Sequence, residues 1–90
     1  MEKKLSDMKP GENGVITKVT GVEELRRRLL DMGLVKGTRI HLIRNAPLKD
    51  PIEVSVKGYN LSLRRKEGEN VYVMVEDEHS EDAVSNATPK

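Results

Sequence analysis

The side chains that could bind a metal or act as a nucleophile are few in this chain of 90 residues. It has no cysteine and only two histidines, His41 and His79. The lack of thiols excludes a disulfide framework, a zinc ribbon, an iron–sulfur centre and a thiol nucleophile. His41 has no second ligand two residues away, and His79 lies among acidic residues near the C-terminus. We therefore predict no metal ligands and no cofactor-binding residues.

Two glycine-containing turns, residues 11–14 and 35–38, are the candidates for a phosphate-binding loop. Such a loop needs a glycine-rich turn that ends in Gly-Lys-Ser or Gly-Lys-Thr, and neither turn has this order. The carboxylates are scattered over predicted turns and one polar helix face, where solvation is their usual role. No spacing among them indicates an acid–base pair. We predict no catalytic residues and expect a binding protein rather than an enzyme.

The most prominent charged cluster is Arg26-Arg27-Arg28. Glu23 precedes Arg27 by four residues, and Glu24 precedes Arg28 by four. This is the favourable order for ion pairs along a helix. No aromatic residues alternate with the arginines to stack on bases. The cluster therefore indicates a solvated helix face, and we expect no nucleic acid as a partner.

The arginines belong to a helix that we predict over about residues 21–32. Thr20 and Glu23 have the spacing of a capping box at its start. Gly33 can end the helix by adopting the left-handed conformation, and Leu34 follows at the position of the apolar contact that seals such a cap. Both ends of the helix are thus predicted from local signals.

The predicted helix has one buried face and one apolar residue that lies off it. At 100° per residue the buried face consists of Val22, Leu25, Leu29 and Met32. Leu30 lies among charged residues instead. Either the 45–51 loop or the N-terminal segment covers Leu30, or Leu30 belongs to a contact surface for a partner. On the second alternative we predict a partner-binding surface at the end of the helix, formed by Arg26, Leu30, Met32, Gly33 and Leu34.

The rest of the chain reads as short strands and a polar tail. Alternating apolar residues predict five strands, at about 14–19, 39–44, 52–57, 61–64 and 71–75. Five short strands with one helix after the first predict a mainly β fold, a small and strongly bent barrel. We assign residues 1–75, with net charge +5, to this domain and residues 76–90, with net charge −4, to a disordered acidic tail. No apolar run could span a membrane and no signal peptide is visible, so we expect a cytoplasmic protein.

Several segments in unbroken order carry a family resemblance. Residues 25–34 (LRRRLLDMGL) with Gly37-Thr38 strongly resemble the ferrous iron transport protein A (FeoA) family. The resemblance continues through residues 46–52 (APLKDPI), Gly58-Tyr59, Leu61 and residues 63–65 (LRR), and includes residues 5–11 (LSDMKPG). The likeness covers about residues 5–75, with small departures such as Gly68 where the family often has Ala.

The resemblance implies an SH3-like barrel with an inserted helix. It also implies a small cytoplasmic accessory protein of bacterial ferrous iron uptake, which acts by contact with the membrane permease that carries a cytosolic GTPase domain. Association with the membrane is then indirect, through recruitment to its inner face by the permease, and transition metal binding is a family-level association. Two alternatives remain open: a stand-alone domain related to the C-terminal domain of iron-dependent repressors, and a small barrel that binds RNA.

We expect the isolated protein to bind ferrous iron no more tightly than about millimolar, because it has no cysteine and only two separated histidines. Titration calorimetry under anaerobic conditions measures this affinity. A one-to-one site of micromolar affinity that disappears in a His41→Ala variant would contradict the expectation.

Overall fold

The computed structural model describes residues 1–45 and 50–76 of the chain. The predicted acidic tail therefore lies outside the described residues except for Glu76, and so does the greater part of the predicted 45–51 loop.

The described residues form a mainly β structure. In chain order its elements are β1 (Glu2–Lys4), a 3-10 helix (Leu5–Asp7), β2 (Asn13–Val19), α1 (Glu23–Asp31), β3 (Arg39–Asn45), β4 (Ile52–Val56), β5 (Tyr59–Leu63), α2 (Arg65–Gly68) and β6 (Val71–Val75). The strands form one sheet in the order β1-β6-β2-β3-β4-β5, and all neighbouring strands are antiparallel. The predicted fold class and each of the five predicted strands are confirmed.

The sixth strand, β1, was not predicted. Its sequence is Glu-Lys-Lys and lacks apolar alternation. Backbone pairing holds it instead, with Lys3 opposite Val73 and the amide of Val75 donating to the carbonyl of Met1 at 2.8 Å. Strand β6 is consequently paired on both sides and lies inside the sheet.

Two bulges bend the sheet around its core. The register of β2 against β6 shifts between Ile16 and Lys18, and that of β3 against β4 shifts between Leu42 and Arg44. An extra residue in one strand bends it and increases its twist. The concave face that results is what lets a single small sheet enclose apolar side chains.

The core is almost entirely aliphatic. Alternating apolar residues of β3, β4 and β6 are buried, and Leu29 and Leu34 join them from the helical side. The buried apolar set in the described residues is Leu5, Met8, Ile16, Leu29, Leu34, Ile40, Leu42, Ile52, Val54, Val56, Leu63, Val71, Val73 and Val75. Because Val, Leu and Ile fill the space without any Phe or Trp, the barrel has a narrow interior.

Helix α1 begins later than predicted, and the capping box at Thr20 is wrong. The N-cap is Val22, without a hydrogen bond from its side chain. The amide of Thr20 donates to the carbonyl of Asn70 at 2.8 Å, and its hydroxyl lies 3.2 Å from Asn70 Oδ1. Thr20 thus ties the end of β2 to the start of β6, and Gly21, with φ of +106°, turns the chain before the helix starts.

The buried face of α1 is also shorter than predicted. Val22 is 72% exposed, because it precedes the helix and does not follow the helical phase. Leu29 is fully buried, whereas Leu25 and Met32 are half-buried and pack against the core. The helix is therefore attached to the sheet mainly through its second half.

Gly14 provides a test of how closely β2 and β6 approach. A Cβ at this position would lie 2.7 Å from the backbone oxygen of Met74 and would also overlap Val73. We expect Gly14→Ala to lower the free energy of unfolding by about 1–3 kcal/mol, the usual effect of overpacking, as measured by urea denaturation. Gly68→Ala is the matched control: there the nearest atom is the flexible Ile52 Cδ1 at 3.1 Å, so its effect should be smaller. Equal effects would contradict the prediction.

Candidate interaction surface

The C-terminal end of α1 is closed by a Schellman motif. The amide of Gly33 donates to the carbonyl of Leu30 at 2.9 Å, and the amide of Leu34 donates to the carbonyl of Leu29 at 3.1 Å. Gly33 has φ of +97°, the left-handed conformation that this motif requires. The predicted cap at Gly33 is confirmed, and so is the apolar contact that seals it, because Leu29 and Leu34 are both fully buried.

Tyr59 adds a contact to this end of the helix. Its hydroxyl donates to the carbonyl of Met32 at 2.8 Å, one of the carbonyls that a helix end leaves without an intrahelical partner. A Cβ on Gly33 would lie 2.7 Å from the same hydroxyl oxygen. Glycine is thus required here both by its backbone conformation and by the approach of Tyr59.

Tyr59 is a surface residue that the sequence analysis missed. It is 44% exposed and begins β5, directly after the two-residue turn Lys57-Gly58, in which both residues have positive φ. This turn is of the kind that favours a β-hairpin. The contact of Tyr59 with the helix spans 27 positions in the sequence, so no local signal indicates it.

The structure brings four of the five predicted contact residues to the surface around the end of α1. Arg26 is exposed, and Leu30, Met32 and Gly33 are half-buried. Leu34 is a correction: its exposure is 0%, since it is the apolar residue that seals the cap. Leu34 packs beneath this surface and has no accessible area that a partner could contact.

The arginine cluster makes one predicted ion pair and one that was not predicted. Arg27 pairs with Glu23 at 2.9 Å, as the four-residue spacing indicates. Arg28 pairs with Glu67 of α2 at 2.5 Å rather than with Glu24. In the described part of the chain Arg26 forms no ion pair.

The burial of Glu67 explains why Arg28 pairs with it. Its side chain is only 9% exposed, and its other carboxylate oxygen accepts the amide of Arg64 at 2.8 Å. A carboxylate this buried needs a charged or hydrogen-bonding partner, and Arg28 supplies it from the neighbouring helix. The pair forms one wall of a polar cleft of about 440 Å3, which is lined by Arg28, Asp50, Pro51, Ser62, Leu63, Arg64 and Glu67.

The histidines do not form a metal site in the described residues. His41 is half-buried on β3, and its Nδ1 lies 2.7 Å from Asn13 Oδ1. His79 lies outside the described residues. Within residues 1–45 and 50–76, no group of three His, Asp or Glu side chains could hold a metal ion. In the same residues no helix has the length and apolar character needed to cross a membrane.

A protein-family model, the FeoA domain, matches residues 3–75 of the chain. A fusion of Fe(2+) transport protein A with the Fe(2+) transporter FeoB from Porphyromonas gingivalis is 39% identical over 70 residues. The match covers 78% of this chain and 8% of the fusion protein, so the chain spans a small part of that relative.

Solved structures share the fold. The FeoA-like protein from Clostridium acetobutylicum has 33% identity and a TM-score of 0.80, over 87% of this chain and 91% of that one. FeoA from Stenotrophomonas maltophilia, described as a prokaryotic SH3 domain protein and solved with zinc, has 26% identity and a TM-score of 0.67, over 82% and 89% of the two chains. The predicted SH3-like fold is confirmed.

A manganese-dependent transcriptional repressor also matches, with a TM-score of 0.76, but at 13% identity and over 42% of its own chain. This likeness shows a shared fold alone.

The contact between Tyr59 and the helix end predicts a coupled pair of substitutions. Gly33→Ala should lower the free energy of unfolding by more than about 1 kcal/mol, because of its positive φ and the clash with the hydroxyl. Tyr59→Phe should cost about 0.5–1.5 kcal/mol, the usual value of one hydrogen bond. In the Tyr59→Phe background Gly33→Ala should cost less than in the wild type, because the clashing oxygen is gone. Urea denaturation of the four proteins measures the coupling, and strictly additive values would refute the contact.

Proposed function

The chain belongs to the FeoA family, a family of ferrous iron transport, and on this premise we propose that it is an accessory protein of the ferrous iron permease. It acts by protein–protein contact with the cytosolic side of the permease, which carries the GTPase domain. It performs no catalysis itself and reaches the membrane only through its partner.

The observation that supports this proposal is that the relative from Porphyromonas gingivalis is a fusion of a FeoA segment with the transporter FeoB. There, a segment 39% identical to this chain is part of one polypeptide with the transporter FeoB. Covalent linkage gives two modules a high effective concentration, so that even a weak contact persists. The contact itself is made by the surface of the domain, which makes its exposed apolar residues the first candidates.

We place the contact at the C-terminal end of α1, on a surface formed by Arg26, Leu30, Met32, Gly33 and Tyr59. Tyr and Arg are enriched among the residues that dominate binding energy in interfaces, and Tyr59 is 44% exposed although it is one of only two aromatic residues in the chain. Half-buried Leu30 adds apolar area at this end of the helix, and charged residues such as Arg27 form the polar rim that is usual for such surfaces.

The surface is rigid before any partner arrives. The Schellman motif and the hydroxyl of Tyr59 fix the backbone from Leu29 to Leu34. Binding therefore loses little conformational entropy in this segment. A preorganised surface of this kind supports binding even when the contact area is small.

Co-purification tests the proposal directly. The full chain is immobilised and the detergent-solubilised permease is passed over it, with GDP, with a non-hydrolysable GTP analogue and without nucleotide. Capture above the level of a matched membrane protein without the GTPase domain supports the proposal. Absence of capture in all three nucleotide states would overturn it.

The variant Leu30→Ser tests the position of the surface. We expect permease binding to weaken at least about tenfold, or about 1.4 kcal/mol, because the apolar area of Leu30 is lost. The free energy of unfolding should fall by about 1–2 kcal/mol, as is usual for a half-buried apolar residue. Binding is measured by titration calorimetry at a temperature at which circular dichroism shows the variant to be folded.

Val22→Ser is the matched control. Val22 is an exposed apolar residue at the opposite end of α1, so its replacement should leave binding nearly unchanged. Because Val22 is the N-cap and serine can accept a capping hydrogen bond there, the free energy of unfolding should stay the same or rise by about 0.5–2 kcal/mol. If folded Leu30→Ser binds the permease as well as Val22→Ser does, the surface lies elsewhere on the domain.

A further inference from the structure

Strand β5 forms one edge of the sheet. It is the last strand in the sheet order and pairs with β4 alone, so that its other side meets no strand in the described residues. Its pairing with β4 continues over the whole strand without a bulge, and its residues include neither proline nor a charged side chain. Bulges, prolines and charges within the strand are common means by which an edge strand avoids pairing with another chain. Strand β5 has none of these three.

The hairpin turn before β5 determines which of its backbone groups face the open side. The two-residue turn is closed by the pair Val56 and Tyr59, which exchange hydrogen bonds. Because successive residues of an antiparallel strand direct their backbone groups to opposite sides, those of Tyr59 and Leu61 face β4. The amides and carbonyls of Asn60 and Ser62 face outward. Both residues are exposed, and in the described part of the chain neither forms a backbone hydrogen bond outside the sheet.

The charges next to this edge are all positive. Residues 57–66 include Lys57, Arg64, Arg65 and Lys66, all exposed, and contain no acidic residue. Among the residues that the structure describes, none of these four cations forms an ion pair. Two copies of β5 paired edge to edge would bring only like charges together, which is destabilising. The charge therefore disfavours a second copy of this chain and favours a strand with acidic side chains.

The C-terminal end of β5 opens into the polar cleft described above. Ser62, Leu63 and Arg64 line this cleft from the strand, and Arg28 lines it from α1. Its volume of about 440 Å3 is large enough for an acidic side chain. Since Arg28 already pairs with Glu67, Arg64 is the cation that a carboxylate entering from the edge of β5 would meet.

We propose that the free edge of β5 binds an extended acidic segment of a partner protein, which adds a strand to the sheet. The backbone of this segment pairs with Asn60 and Ser62, and its carboxylates lie against Lys57 and Arg64. At about 3.4 Å per residue, a segment of about five to seven residues covers the strand and its flanks. Backbone pairing supplies the affinity in such strand addition, and the flanking cations select the acidic sequence.

This proposal does not depend on the proposed function. The contact with the permease uses side chains at the end of α1, whereas strand addition uses the backbone of β5. The experiments below need only the full chain and synthetic peptides. Their failure would leave the permease contact standing, and failure of permease capture would leave strand addition standing.

The first experiment titrates the full chain with a capped peptide of about seven residues in which glutamate and valine alternate. We expect NMR shift changes at the amides of Asn60 and Ser62, and exchange of these two amides with solvent at least about tenfold slower at saturation. No change at these amides with millimolar peptide would overturn the proposal. Protection that instead rises with the concentration of the free protein would show a second copy at this edge, and would equally overturn it.

Methylation of the peptide backbone distinguishes strand addition from attraction between charges. In an added strand alternate amides of the peptide face β5, and the remaining amides face solvent. Two peptides of equal charge are therefore compared, one methylated on the amides of its glutamates and the other on those of its valines. We expect their affinities to differ at least about tenfold, because one peptide loses the donors that face β5. Equal affinities would refute backbone pairing.

Arg64→Gln tests the charge beside the edge. We expect this variant to bind the glutamate peptide at least about threefold more weakly than the wild type does, because one attractive charge is lost. Lys18→Gln is the matched control, since it removes the same charge from an exposed residue of β2, which is separated from β5 in the sheet by β3 and β4. Equal losses in the two variants would indicate attraction to the overall charge of the domain and would contradict binding at this edge.

Discussion

The turn at Gly33 is the constraint on which the rest of the helical side depends. Leu29 before it and Leu34 after it are the two fully buried residues by which this part of the chain enters the core. They can both point inward only if the backbone reverses between them, and the reversal requires a positive φ at Gly33. The end of α1 and the start of the path to β3 follow from this one backbone conformation, and the lack of a Cβ at Gly33 permits the approach of the Tyr59 hydroxyl.

On the other side of α1, the buried carboxylate of Glu67 connects α1 to α2. Glu67 accepts the backbone amide at the start of α2 and pairs with Arg28 across the gap between the two helices. Gly68, next to it, lets α2 approach Ser6 and Ile52 closely. The two short helices are therefore joined by a charged contact.

Much of this fold could be predicted from local pattern. Alternation in β4 and β6 identified strands correctly because their inward residues are uniformly apolar, and Gly33 identified the end of the helix because few other residues adopt its φ. The predictions that were wrong or missing concern contacts between residues far apart in the sequence. Thr20 bonds to Asn70 rather than capping the helix, and β1 is held by backbone pairing to β6, at the other end of the domain.

The same limit applies to the candidate surface. Leu30 could be singled out from the helical phase alone, whereas Tyr59 reaches the helix end from a hairpin and carries no signal of this in the sequence around it. Leu34 was included in the predicted surface because it follows the end of the helix, but the cap turns it inward. Arg28 pairs with Glu67 rather than with Glu24, because a buried carboxylate is destabilised without a charged partner, whereas an exposed carboxylate is solvated by water.

The placement of β6 inside the sheet has a consequence for the order of folding. It is the last strand of the domain, yet it lies between β1 and β2, and Met1 meets Val75 across 74 positions of sequence. Before residues 71–75 leave the ribosome, β1 has no strand to pair with and β2 has one open edge. The hairpin of β4 and β5 can form early, but the barrel closes only after synthesis of nearly the whole domain, and the many long-range pairings make this closure slow for so short a chain.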